Sequence, residues 1–120
     1  MKHKIWYDDE TEILFLEFLD HFIYENLEPL QKKLYDLLEG KTHRQMLVIM
    51  TTQHKKQNPE TSEGAKKIIQ DAEISEIAFV GGNAANRMIA KVLMKTGAIK
   101  TKSNFFKDKK EAINWLKSKR

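Results

Sequence analysis

Hydrophobic positions along this chain follow two rhythms, short apolar runs and runs spaced by three and four, and Gly, Pro, Asn and Asp punctuate the change from one to the other. Lys4 to Tyr7 alternates weakly, Asp8-Asp9-Glu10-Thr11 supplies turn residues, and Ile13 to Leu19 is rich in strand formers, so the chain is predicted to open with a β-hairpin. From Asn26, read as an N-cap, Leu27, Leu30, Leu34, Leu37 and Leu38 recur at helical spacing up to Gly40, with Pro29 in the tolerated first turn. Met46 to Met50 is a continuous apolar run, the pattern of a strand covered on both faces.

After a polar stretch from Thr51 to Gln57, Asn58-Pro59-Glu60 reads as cap, first helical position and dipole-matching acid, opening a second helix that buries Ala65, Ile68, Ile69 and Ala72. Ile77 to Val80 reads as a second buried strand, Gly81-Gly82 as a turn, and Asn83 as the cap of a third helix with Ala85, Met88, Ile89 and Val92 inward, stopped at Gly97. Lys100 to Phe106 is more polar and fits a strand nearer an edge. Asp108 to Glu111 matches a capping box before a last helix carrying Ala112, Trp115 and Leu116.

The predicted order is ββαβαβαβα over residues 1–120, a single α/β domain with about five strands covered by about four helices. Right-handed crossovers then make the sheet mostly parallel, with one antiparallel strand at the start and the runs at Leu47–Met50 and Ile77–Val80 adjacent and parallel at the centre. Sites in such sheets collect beyond the carboxyl ends of the strands, here Thr51 to Gly64 and Gly81 to Arg87.

Composition narrows the function classes. With 120 residues, 41% hydrophobic and 32% charged, the chain suits one domain with a core that needs no staple. The absence of cysteine excludes disulfides, thiolate metal sites and a cysteine nucleophile, and it fits a reducing, cytoplasmic setting. No run has the length of a membrane span. Charge is graded, from −6 over residues 1–30 to +8 over residues 91–120 within a total of +4. Lysine supplies nearly all the positive charge, with arginine only at positions 44, 87 and 120, so phosphate and base reading are poorly served and nucleic acid is not an expected partner. Attraction between the acidic and basic thirds of two copies would support a homodimer, although the same thirds can also be neighbours within one sheet.

Candidate chemistry is sparse. His3, His21, His43 and His54 are never paired at metal-ligand spacing, no hydrolase or P-loop motif occurs, and no catalytic residue, metal or cofactor is expected. The turn Gly81-Gly82-Asn83 follows a buried strand and opens a helix, so Gly82, Asn83 and Arg87 are candidates for an anion- or nucleotide-binding turn. Backbone geometry alone also accounts for glycines at a strand-to-helix turn. Thr61-Ser62-Glu63-Gly64 lies just inside the second helix, at the end of the sheet where sites collect.

The ββαβαβαβα order together with this tetrapeptide, which is similar to a D-S-x-G motif at the start of a second helix, resembles the STAS domain of anti-sigma-factor antagonists and its STAS/SEC14-like bacterial relatives. Phe105-Phe106, Glu111-Ala112 and Trp115-Leu116 resemble the closing strand and helix of those relatives, so the likeness spans the chain. The resemblance implies a non-enzymatic regulatory domain that binds a protein partner. Ser62 would be the serine whose phosphorylation switches binding, and Thr61 stands where the family has aspartate. The expected partner surface is Thr52, Asn58, Thr61, Ser62 and Asn83. The SEC14-like relatives imply an alternative, a carrier of a small apolar or lipid-like ligand, for which Met88, Met94, Phe105, Phe106 and Trp115 would line the space.

Overall fold

The computed structural model describes residues 3–19, 23–50, 59–81 and 101–120, with residues 59 and 62 described by their backbone alone. Five strands form one sheet in the order β1-β2-β3-β4-β5: β1 (Lys4–Asp8), β2 (Ile13–Phe18), β3 (Gln45–Met50), β4 (Glu76–Gly81) and β5 (Lys102–Phe106). β1 runs antiparallel to β2, and every other neighbouring pair is parallel. The two all-apolar runs are therefore adjacent and parallel, with Leu47 opposite Ala78, as continuous hydrophobicity predicts for strands covered on both faces. Three helices are described: α1 (Leu27–Leu38), α2 (Pro59–Asp71) and α3 (Lys109–Ser118). The helix predicted from Asn83 lies outside the described residues.

The opening hairpin is held by Asp8. Its carboxylate accepts from the Thr11 hydroxyl at 2.7 Å and from the Glu10 amide at 3.3 Å, while its carbonyl accepts from the Glu12 amide at 2.8 Å. These bonds, the one from Thr11 first, hold the Asp8 carboxyl below its ordinary range. A depressed carboxylate contributes stability above its unfolded pKa and loses it as pH falls through the folded value. Comparison of acid melting between the parent and Asp8→Asn should show a shallower loss of stability below about pH 4 in the variant. Equal slopes would remove Asp8 from the turn.

α1 begins in a different way from the predicted cap. Its Asn26 is already helical, ends a 3₁₀ turn at Tyr24–Asn26, and makes no side-chain cap bond to the helix. Asn26 Oδ1 instead accepts from the Ile23 amide at 3.1 Å and lies 3.3 Å from Nε2 of His3, whose Nδ1 accepts from the Leu19 amide at 3.3 Å. The acceptor role of Nδ1 places the proton on Nε2. His3 is thus buried between the start of β1, the end of β2 and the entry to α1, with its ring edge-on to Phe18.

α2 ends in a Schellman motif. The Ile74 amide bonds the Ile69 carbonyl at 3.3 Å, the Glu73 amide bonds the Gln70 carbonyl at 3.0 Å, and Glu73 takes the left-handed φ of +55°. Ile74 is buried against the core, which is the hydrophobic contact this motif favours. A non-glycine residue carries a steric penalty at that φ, so Glu73→Gly should raise stability by about 0.5–1 kcal/mol in urea unfolding. A loss would mean that the Glu73 side chain holds the end of α2.

Side chains alternate across the sheet and build two cores. α1 and α2 cover one face through Leu30, Leu34, Leu38, Ile68 and Ala72 against Leu14, Met46, Val48 and Phe79. α3 covers the other through Ala112 and Leu116 against Leu47, Ile49, Ala78 and Val80. Asp108 caps α3 by accepting from the Glu111 amide at 2.9 Å, as the sequence predicts. At the edge, the side chain of Asn104 accepts from the amide of Phe105 at 2.8 Å, so a backbone donor of β5 is satisfied by its own strand.

Candidate functional site

The carboxyl ends of β2, β3 and β4 line up side by side, with Phe18 opposite Met50 and Met50 opposite Gly81. Gly81 has φ +79°, and a Cβ there would lie 2.9 Å from the Met50 carbonyl oxygen. Both the handedness and the close approach of β3 demand glycine. Backbone geometry therefore accounts for Gly81, the last residue of β4. Gly82, Asn83 and Arg87 lie outside the described residues, as do Thr52 and Asn58.

α2 is the next described element after β3 in the chain and carries the Thr61-Ser62-Glu63-Gly64 segment in its first turns. The backbone of Ser62 is helical, within the first turn of α2, the end at which the helix dipole is positive. Thr61 departs from expectation. Its side chain is 2% exposed, so it belongs to the packed interior and does not join an exposed partner surface. Helical geometry is the reason: the amphipathic stripe that buries Ile68 and Ala72 runs back through Thr61, seven and eleven residues earlier.

Gly64 sets how closely α1 and α2 approach. A Cβ at Gly64 would lie 2.5 Å from Cδ1 of Leu27, so a larger residue there would displace the Leu27 side chain. Beside it, Lys66 is largely buried and its Nζ lies 3.0 Å from Glu63 Oε1. The space between the two helices continues outward as a groove of about 700 Å³, bordered by Tyr24, Leu27, Gln31, Gly64 and Ile68. Tyr24, 55% exposed, stands at its rim, and Ile23, 44% exposed, precedes it in the chain. Sequence reasoning passed over both, and the available signal was two large apolar residues placed ahead of a helix start outside any amphipathic repeat.

The aromatic residues proposed to line a ligand space are separated by the sheet. Phe105 stacks on Phe79 at 5.2 Å on the face covered by α1 and α2, whereas Phe106 meets Trp115 at 5.5 Å on the α3 face. Consecutive strand residues point to opposite faces, so these three cannot surround one cavity. Met88 and Met94 lie outside the described residues. Among the described residues, no three histidine or acidic side chains gather in a metal-binding cluster. No described helix is long and apolar enough to cross a membrane.

Comparisons with known proteins agree with the architecture. No curated protein matches the sequence. An uncharacterized protein of the DUF3478 family from Shewanella loihica PV-4, described as having a SpoIIAA-like fold, superposes with a TM-score of 0.66 at 17% identity over 95% of this chain and 91% of that one. RsbS from Moorella thermoacetica, in a serine-to-glutamate variant, superposes with a TM-score of 0.63 at 11% identity over 98% of this chain and 97% of its own. The hairpin-led, mostly parallel five-stranded sheet is a STAS-like, SpoIIAA-like fold. Residues 5–120 match the domain of unknown function DUF7793, and the chain belongs to that family.

Proposed function

We propose that the protein is a non-enzymatic regulatory interaction domain. It binds a protein partner at the carboxyl end of the parallel strands, around the first turn of α2, and Ser62 is its switch. The observation that carries this reading is the placement of Ser62 in the first turn of the helix that follows the central strand, within a STAS-like fold. A phosphate there would meet the amides and dipole of the helix start, and about two added negative charges would change what a partner encounters. Thr52, Asn58 and Asn83 complete the proposed surface. Thr61 supports it from beneath as a packed residue.

The test uses the full chain purified from its own host. Phosphate mapped to Ser62 by mass spectrometry is the expected result, together with a co-purifying protein recovered with Ser62→Ala and lost with Ser62→Asp. The aspartate variant should remain within about 1 kcal/mol of the parent in stability, because an acid in a first helical turn is tolerated. An unmodified Ser62 with equal recovery from both variants would overturn the switch. A bound apolar mass in native mass spectrometry, with no partner, would replace the reading by ligand carriage.

A further inference from the structure

The groove between α1 and α2 opens at the same end of the sheet as the proposed switch, because α1 follows β2 and α2 follows β3. We infer that this groove seats a basic amphipathic helix of the partner protein, an inference that rests on the regulatory reading above and specifies its docking chemistry.

The occupant needs an apolar face. Leu27 and Ile68 border the groove, the Leu27 side chain lies over Gly64, and Tyr24 exposes a large apolar surface at its rim, with Ile23 exposed beside it in the chain. Spacing of three and four along a bound helix would place successive anchors in such a trough. The occupant also needs positive charge. Glu25 and Glu28 stand on the α1 side, and Glu60 and Glu63 lie on α2 one turn before Gly64 and Lys67. Glu63 pairs with Lys66, while Glu25, Glu28 and Glu60 make no ion pair among the described residues. Among the described residues that line the groove, the one cation set against these acids is Lys67.

Backbone bonding selects a helix over a strand. Both walls are helices, whose amides and carbonyls are already bonded, so an extended segment would find no sheet edge to pair with; a helix satisfies its own backbone. A second copy of this chain is a poor fit. Its described basic helix, α3, has already committed Ala112 and Leu116 to its own core and has no apolar face to lend.

The probe is a synthetic peptide of about 14 residues, roughly four helical turns, with leucine at spacing three and four and lysine elsewhere. A matched peptide replaces every lysine with glutamate. Titrated into the isotope-labelled full chain, the lysine peptide should bind saturably, moving the amide signals of residues 24–31 and 64–68. Binding should fall at least tenfold for the glutamate peptide, for Tyr24→Ala and for Glu25→Lys with Glu28→Lys. All three substituted positions are exposed, so folding is expected to persist and is checked by thermal melting.

Equal binding of the two peptides, signal changes centred on α3 or the β5 edge, or no saturable binding would each overturn the inference. Concentration-dependent self-association abolished by Tyr24→Ala would give the groove to a second copy and overturn it as well. The two readings fail separately: the peptide reports on the groove alone, and partner recovery with Ser62→Asp reports on the switch alone.

Discussion

Leu47→Ala is expected to lower the unfolding free energy by about 3–4 kcal/mol, the middle of the range for a leucine truncated in a core. Leu47 has no exposed surface and sits in the middle of β3, with Phe15 opposite on β2 and Ala78 opposite on β4. Ladder bonds on both sides hold the backbone, and the small side chain of Ala78 has nothing to extend into the space. The site therefore relaxes little, and the cavity term adds to the lost transfer energy. Urea unfolding would read the loss directly, and the melting temperature should fall by roughly 10–15 °C for a domain of this size. Leu47→Met, which conserves volume, should cost less than about 1.5 kcal/mol. A loss for alanine no larger than for methionine would show that α3 does not close over this strand.

The next largest effect is expected at Gln45, a buried polar residue at the amino end of β3. Its Nε2 donates to Glu76 Oε1 at 2.8 Å and to the Leu116 carbonyl at 2.6 Å, and its Oε1 accepts from Arg120 Nε at 3.0 Å. Arg120 also donates to the carbonyls of Thr11 and Glu12, so one amide links β3, β4, the end of α3 and the first hairpin. With 2% exposure, Gln45 leaves no room for water to replace these bonds. Gln45→Leu keeps the approximate volume but removes three bonds at once, two of them to charged groups. Among the described residues the Leu116 carbonyl keeps only the Lys119 amide, Glu76 Oε1 keeps only the Ser75 hydroxyl, and Arg120 Nε loses its acceptor, so a loss of about 2–3 kcal/mol is expected. Arg120→Ala alone should cost less, since part of that side chain is in contact with solvent. The double variant should fall short of the sum, because both single changes break the same bond. Strict additivity in chemical denaturation would mean that the two residues act independently and the linkage is wrong.

Much of the architecture was legible because apolar spacing reports local geometry. Met46 to Met50 and Ile77 to Val80 lack polar alternation, which only a strand covered on both faces tolerates, and they are the adjacent parallel strands of the sheet. Asp108 stands three residues before Glu111, a spacing whose meaning lies within one turn of helix, and the bond is present. Asn26 was legible as a boundary and misleading as a cap, since its side chain turns back to the Ile23 amide and to His3, a residue 23 positions away.

The candidate site was less legible. Ser62 could be placed at a helix start from Asn58-Pro59 alone, but the burial of Thr61 follows from which face of α2 meets the sheet, and a polar residue gives no apolar signal of that phase. The pairing of Gly64 with Leu27 depends on the approach of two helices separated by a strand. It cannot be seen from either segment alone. The same is true of the groove and its acidic rim, which join residues about forty positions apart.

The sequence by itself determined the order of the described elements, the central strands, the lack of cysteine chemistry and the charge gradient, because each depends on neighbours within a turn or a strand or on composition alone. Tertiary structure alone decided that Phe105 and Phe106 serve opposite cores, that Gln45 is a buried four-way link, and that Gly81 and Gly64 are held by the close approach of other segments. Those outcomes rest on contacts between distant segments. Such contacts are set by sheet register and helix docking, and no local spacing in the chain encodes them.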